Sequence, residues 1–166
     1  QLVLAANPCP CGRSSGKGWE CTCSVTARRR YLSRLSGPLL DRVDLQVEVL
    51  PVSRAEMSTD CRPESSAVVA SRVAAARAAQ RERLSGTPWT CNGDLPGSWL
   101  RGPVRLPSRI TQDLDRALDR QQLTARGYDR VLRLSWTVSD LSGRATPDRD
   151  DVGQALLLRH RPGVSR

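Results

Sequence analysis

Aromatic residues and lysine are scarce in this sequence. Only 4% of its 166 residues are aromatic and none is Phe, so Val, Leu, Ile and Ala must fill the core. No apolar run approaches the roughly 18–20 residues that span a bilayer, and residues 1–8 lack the basic segment of a signal peptide. We therefore expect a cytoplasmic protein with no membrane partner. Because the sequence begins with Gln1 rather than Met, we also expect it to be part of a longer protein.

The charge is strongly positive and is carried almost entirely by arginine. Lys and Arg together number 26 against 17 Asp and Glu, for a net charge of +9, and Lys17 is the only Lys. Arginine binds phosphate with two donors and stacks on bases, so the excess fits a nucleic-acid partner. A compositional preference for Arg with solvated side chains explains it equally well, because only Arg28, Arg29 and Arg30 form a run.

Four of the six cysteines form two close pairs, Cys9 with Cys11 and Cys21 with Cys23. This C-x-C-x9-C-x-C spacing suits a structural zinc ion held by four thiolates, which leave no open position for catalysis. Residues 13–20 between the pairs could hardly build a core alone, so a metal would organise them.

Two alternatives to zinc stay open for these cysteines. Disulfides would have to join the two pairs, because a bridge within C-x-C is strained, and nothing in the sequence indicates an oxidising compartment. Free thiols are the other alternative. Cys61 and Cys91 stand apart in loop-like sequence and are predicted to be free.

Apolar periodicity predicts two strands and one helix in the first third of the chain. Residues 2–6 form a short apolar run that ends before Pro8, and residues 43–49 alternate apolar and polar side chains. A helix capped by Ser24 or Thr26 is predicted to run to about residue 36, where Gly37 and Pro38 end it.

The rest of the chain is predicted to be helical around one long connection. A helix over 64–84 precedes a Gly- and Pro-rich loop at 85–107. Three helices then follow. Their predicted starts are a cap at Ser108, a cap at Thr124 and the Thr146-Pro147-Asp148 sequence.

Four segments resemble the magnesium-chelatase-like AAA+ ATPases of the ComM/YifB type. They are AANPCPCG at 5–12, RLSGPLLDRVD at 34–44, LTARGYDRVLR at 123–133 and SDLSG at 139–143. The segments occur in the family's order and cover nearly the whole chain. The chain is similar to the C-terminal third of such a protein.

The resemblance implies an α/β fragment followed by an all-α lid subdomain. Residues 1–52 would be the C-terminal part of an AAA+ P-loop core with few strands, carrying the zinc-knuckle-like cysteine insertion at 9–23. Residues 53–107 would be a helix and a Gly/Pro-rich connection. Residues 108–166 would be the helical lid of the magnesium-chelatase C-terminal type.

The resemblance also implies roles for three residues in binding ATP with Mg²⁺. Asn7 would be the sensor 1 residue, whose amide orients the attacking water near the γ-phosphate. Arg42 would be the arginine finger, which reaches the ATP of a neighbouring subunit and stabilises the charge on the transferred phosphoryl group. Arg126 would be the sensor 2 residue near the start of a lid helix, where a cation suits phosphate oxygens. Asn7 and Arg42 would thus be catalytic.

Each of these residues also has an interpretation that does not depend on the family resemblance. Asn7 before Pro8 fits a turn, Arg42 near acidic neighbours fits a surface ion pair, and Arg126 fits one more solvated arginine.

The family further implies a homo-oligomeric ring, a hexamer, that remodels DNA by branch migration during competence or recombination. The chain has no G-x-x-x-x-G-K-[ST] loop and no Walker B acids before Asn7. We therefore expect no ATP hydrolysis from this chain alone. The alternatives are a zinc-stabilised basic DNA-binding module and an inactive truncated gene product.

Overall fold

The computed structural model describes residues 2–14, 20–52, 54, 57 and 64–159. These residues are helical or irregular, and no strand occurs among them. The chain divides into two compact units, one formed by residues 1–42 and 47–62 and the other by residues 43–46 and 63–166.

The first unit contains two short helices in its described part. Helix α1, Val25–Leu32, begins where predicted, with the Ser24 hydroxyl accepting from the Ala27 amide. It ends four residues before the predicted end near residue 36. Gly37 and Pro38 do not end a helix but open the next one, α2 (Gly37–Leu40), which Ser36 caps. Proline is tolerated there because the first amides of a helix have no internal acceptor.

Both predicted strands are absent from the described residues, so the α/β expectation is not confirmed. Residues 2–6 and 43–49 are irregular, and three of the four apolar side chains of the alternating pattern stay exposed, with Val47 at 69% and Val49 at 86%. A strand needs a neighbouring backbone to pair with, and neither segment has one in the described part of the chain. The Gln46 amide donates instead to the helix carbonyl of Leu158.

The second unit is a helical bundle with a well-formed core, which is compatible with the lid expectation. Its helices are α3 (Ser66–Arg83), a 3-10 turn (Asn92–Asp94), α4 (Gly97–Leu100), α5 (Ser108–Asp119), α6 (Ala125–Leu141) and α7 (Arg149–Arg159). Ser65 caps α3 and Thr124 caps α6 through their hydroxyls. The predicted Ser108 cap is wrong, because Ser108 lies inside α5 and Pro107 precedes it without a side-chain bond.

Aliphatic residues and one tryptophan form the core of this bundle, as the shortage of aromatics predicted. Leu114 and Val131 are fully buried, and Trp136 is nearly so. The Gly/Pro-rich segment joins the same core through Leu95, Leu100 and Leu106. No described helix is long and apolar enough to cross a membrane.

Helix α7 begins slightly later than its predicted start at Thr146. The Asp148 carboxylate accepts from the Asp151 amide at 2.9 Å, and the Asp151 carboxylate accepts in return from the Asp148 amide at 3.0 Å. This reciprocal pair satisfies two amides at the helix start, in the manner of a capping box. Arg144 pairs with both carboxylates.

Candidate functional site

The four N-terminal cysteines form one tight cluster. All four Sγ atoms lie within 4.8 Å of one another, and Cys9 Sγ is 3.3 Å from that of Cys11 and 3.7 Å from that of Cys21. Sulfurs in a tetrahedral zinc centre lie about 3.8 Å apart, given Zn–S bonds near 2.3 Å. The structure has no disulfide among these four cysteines. The cluster can hold a metal ion.

A tight turn shapes the first half of the cluster. The Gly12 amide donates to the Cys9 carbonyl at 3.0 Å, and Gly12 has a φ of +76°, which side chains other than glycine's adopt only with strain. A Cβ at Gly12 would lie 3.8 Å from Cγ of Asn7. The predicted sensor residue Asn7 therefore lies close to the cysteine turn.

Local hydrogen bonds prepare one cysteine for metal binding. A backbone hydrogen bond at Arg13, followed by the contact with the Cys9 thiol, lowers the pKa of Cys11 to about 6. A lowered pKa favours the thiolate, which is the form that binds metal. Cys91 is a free thiol as predicted and donates to Asp94, whereas Cys61 lies outside the described residues.

Arg42 is exposed at the end of the α2 turn. Its Nη1 donates to the Pro38 carbonyl at 2.8 Å, and its side chain lies in solvent. The Arg42 side chain is therefore accessible, as contact with a second subunit would require.

Arg126 is the second residue of α6 and is exposed. The Thr124 hydroxyl accepts from the Gly127 amide at 2.9 Å and fixes this first turn. Arg126 belongs to the helical unit, whereas Asn7 and Arg42 belong to the other unit. The start of a capped helix places this cation where anionic oxygens are favoured.

A buried polar network connects α3 and α6, and no local sequence pattern predicted it. Arg83 makes two hydrogen bonds to Asp140, one of them at 2.8 Å, and its guanidinium lies 4.5 Å from the ring centre of Trp136. Asn92 bridges Arg83 and Asp140 and donates to Thr137 at 3.1 Å. The network fixes the C-terminal end of α3 against α6.

A second missed feature is the contact of residues 43–46 with α6 and α7. Arg130 of α6 pairs with Asp44. At the end of α7, Arg159 donates to the Val43 carbonyl at 2.5 Å, and the Leu158 carbonyl accepts from the Gln46 amide at 2.7 Å. We refer to residues 43–46 as the strap.

A cleft of about 260 Å³ lies among α4, α5 and α6. Tyr128 donates to Asp115 at 2.7 Å, and burial, followed by this bond, raises the pKa of Tyr128 to about 12. None of the predicted site residues lines this cleft. Its walls are formed by Leu100, Arg101, Arg105, Leu106, Thr111, Asp115, Tyr128 and Leu132.

Two family profiles match the chain one after the other. The profile described as magnesium chelatase, subunit ChlI, matches residues 1–57, and the profile for the C-terminal part of the same subunit matches residues 63–159. The chain belongs to the magnesium chelatase family. The resemblance drawn from the four motifs is thereby confirmed.

Curated relatives match the chain over almost its full length. An uncharacterized protein of Mycobacterium tuberculosis is 44% identical over 159 residues, which are 96% of this chain and 31% of that protein. Competence protein ComM of Haemophilus influenzae is 35% identical over 161 residues, and the uncharacterized protein YifB of Escherichia coli is 36% identical over 160 residues. Each of these two matches covers 96% of this chain and 30% of the relative. This magnesium chelatase family chain thus spans about a third of the length of the curated relatives it matches.

Proposed function

We propose that the chain supplies the sensor residues, the arginine finger and the lid of an AAA+ ATPase. It acts as part of a longer polypeptide that carries Walker A and B motifs, and the subunits assemble into a ring, a hexamer. The observation that carries the proposal is the match to both family profiles in one chain. The exposed, capped position of Arg126 supports it.

Three side chains of this chain would act at the phosphates of ATP. Asn7 orients the attacking water as sensor 1, and Arg126 holds phosphate oxygens of its own subunit's ATP as sensor 2. Arg42 reaches the ATP of the neighbouring subunit and stabilises the charge that develops in the transition state. The exposure of Arg42 and Arg126 supports these roles, because a buried guanidinium could not reach a nucleotide.

The phosphate cradle and the Mg²⁺ ligands are supplied by other parts of the protein. This chain has no Gly-rich loop with a Lys and a hydroxyl, which are the groups that hold the β- and γ-phosphates and the metal. A Mg²⁺ ion bound there would neutralise charge on the phosphates. The chain alone is therefore expected not to hydrolyse ATP.

The metal held by the four cysteines is proposed to be structural Zn²⁺. Four thiolates in tetrahedral reach favour zinc and close its coordination shell. Asn7 lies close to the Gly12 turn, so a metal bound by the cysteines would help to hold the segment that carries sensor 1.

The domain organisation follows from these roles. Residues 1–52 belong to the nucleotide-binding core, with the cysteine knuckle at 9–23. Residues 108–166 form the lid, and the preceding helix and Gly/Pro-rich segment of 53–107 pack into the same core as the lid from residue 84 onward. The partner of the whole ring is proposed to be DNA, which the ring remodels by branch migration in competence or recombination. The protein is proposed to act in the cytoplasm. The net charge of +9 supports a polyanionic partner.

Steady-state ATPase assays on the longer polypeptide test the proposal. Arg42→Ala is expected to lower kcat about 10³-fold with ATP affinity unchanged, because a finger contributes only in the transition state. Arg126→Ala is expected to weaken ATP binding about 10-fold, since it removes a charge-assisted hydrogen bond. Arg120→Ala, an exposed arginine at the end of α5, is the matched control. If Arg42→Ala and Arg126→Ala behave like this control, the assignment is wrong.

One observation favours a second candidate, a zinc-stabilised DNA-binding module. Helix α1 starts two residues after Cys23, contains no acidic residue and exposes Arg29 and Arg30. If the chain is such a module, the chain itself should bind DNA, and its affinity for DNA should fall steeply as the salt concentration increases. Replacing Arg29 and Arg30 by Gln should then reduce the salt dependence. An inactive truncated product would bind neither DNA nor nucleotide.

A further inference from the structure

The strap at residues 43–46 directly follows Arg42 in the chain. It has no regular secondary structure, and yet three separate contacts fix it to the helical unit within four residues. A four-residue irregular segment makes few contacts within itself, and ordering it costs conformational entropy. Its conformation is therefore set by the helices to which it is bound.

Arg130 supplies the first contact. It projects from α6 one turn after Arg126, and its side chain is 20% exposed. Its partner Asp44 is 70% exposed in its side chain, so Asp44 is the outer member of the pair. Arg130 thus holds a guanidinium that is mostly shielded from solvent against a carboxylate that solvent reaches.

Arg159 supplies the second contact and is buried, with 6% of its surface exposed. Its Nη1 donates to the Val43 carbonyl at 2.5 Å. Its Nε lies 3.4 Å from the position of a Cβ on Gly127, which is the residue after Arg126. The Arg159 side chain thus bonds to the residue after Arg42 and leaves little room for a side chain at the residue after Arg126.

The third contact is made by the backbone. The Gln46 amide donates to the Leu158 carbonyl in the last turn of α7. Carbonyl groups at the end of a helix have no partner within the helix, so the strap satisfies one of them. This hydrogen bond anchors the C-terminal end of the strap, whereas Arg42 directly precedes its N-terminal end.

We propose that Arg130 and Arg159 are positioning residues for Arg42, because they clamp the strap that follows it onto α6 and α7. The inference rests on the proposed function, in which Arg42 is a finger and Arg126 is a sensor.

The test is ATP hydrolysis by the longer polypeptide, compared between clamp variants and Arg42→Ala. Arg130→Met and Asp44→Asn are expected to lower kcat by about 10–100-fold with the KM for ATP unchanged, since misplacing a catalytic group by about 1 Å costs about 100-fold. In an Arg42→Ala background the same variants should cause no further loss, because there is no finger left to position. Arg149→Met, which removes a surface pair with Asp113 on the same unit, is the control and should leave kcat unchanged.

Two additional measurements separate positioning from misfolding. The charge swap of Asp44→Arg with Arg130→Asp should recover most of the lost kcat. Amide hydrogen exchange at residues 43–46 should be faster in Arg130→Met and in Arg159→Met, with the core of α6 still protected.

Different results would overturn different parts of the account. If Arg42→Ala itself leaves kcat unchanged, the finger assignment fails and the clamp's role fails with it. If Arg42→Ala lowers kcat but the clamp variants do not, the clamp alone is wrong. If the clamp variants reduce kcat equally with and without Arg42, they act elsewhere, and the inference is also wrong.

Discussion

Arg83 and Asp140 form a two-point ion pair between α3 and α6, with a second hydrogen bond of 2.8 Å between Nη2 and Oδ2. The side chain of Asp140 is 2% exposed and that of Arg83 is 19% exposed. Trp136 covers the guanidinium and Asn92 completes the hydrogen bonds. The long, mostly exposed α3 is therefore held to the bundle by its last turn.

Breaking this pair should destabilise the bundle strongly. Arg83→Met is expected to reduce the free energy of unfolding by about 3–5 kcal/mol, because the Asp140 carboxylate is left buried without its cation. Urea unfolding followed by circular dichroism measures the loss. Adding Asp140→Leu to Arg83→Met should restore part of it, since the stranded charge is then removed.

Arg81→Met is the control for this experiment. Arg81 is exposed in the same turn of α3, and surface substitutions of this kind usually change stability by less than about 0.5 kcal/mol. Equal losses for Arg83→Met and Arg81→Met would show that the ion pair does not anchor α3.

Acid should weaken the start of α7. The backbone hydrogen bond from Asp151, followed by the nearby charge of Arg144, holds the pKa of Asp148 below its usual 3.8. A carboxyl with a lowered pKa stabilises the fold fully above its usual value, and this contribution is lost as the pH falls through the lower, folded value. We therefore expect the urea concentration at the unfolding midpoint to decrease once the pH is lowered below about 4.

Asp148→Asn tests the cause of this pH dependence. An Asn oxygen still accepts from the Asp151 amide, so the helix cap is retained near neutral pH. The urea midpoint of the variant should depend less on pH between about pH 6 and pH 2 than that of the unmodified chain. Identical pH profiles would contradict the role of Asp148.

Metal removal should disorder the cysteine knuckle. Elemental analysis of protein purified without chelator is expected to find about one zinc per chain. Cys9→Ser should lower this content sharply, because Cys9 is the buried ligand. Cys91→Ser should leave it unchanged, since Cys91 bonds to Asp94 well away in sequence. Full zinc content in Cys9→Ser would rule out the four-cysteine site.

The sequence predicted the features of this chain that depend on local patterns. The caps at Ser24 and Thr124 follow from residues three positions apart. The cysteine cluster follows from two close pairs within a 15-residue segment. The strand at 43–49 was predicted from alternation, but alternation specifies a strand only where a neighbouring strand accepts its hydrogen bonds. In the described residues this segment has no neighbouring strand, and Arg130 of α6 and Arg159 of α7 bond to it instead.

The contacts that no pattern predicted join residues far apart in the chain. Arg83 and Asp140 are 57 positions apart, and Arg159 and Val43 are 116 positions apart. In a chain so rich in arginine, composition gives no indication of which guanidinium is buried. The roles of Asn7, Arg42 and Arg126 stay predictions that rest on the family and on their accessibility.

The most direct test of the central claim is an ATPase measurement on mixed rings of the longer polypeptide. Arg42→Ala subunits retain a Walker A loop but lack the finger, while subunits with the Walker A Lys replaced retain Arg42. Each preparation alone should be nearly inactive, and mixing them should restore hydrolysis, because a subunit of one kind completes the site of the other. If the mixture stays as inactive as its two components, or if Arg42→Ala alone is fully active, Arg42 is not a finger acting on a neighbouring subunit.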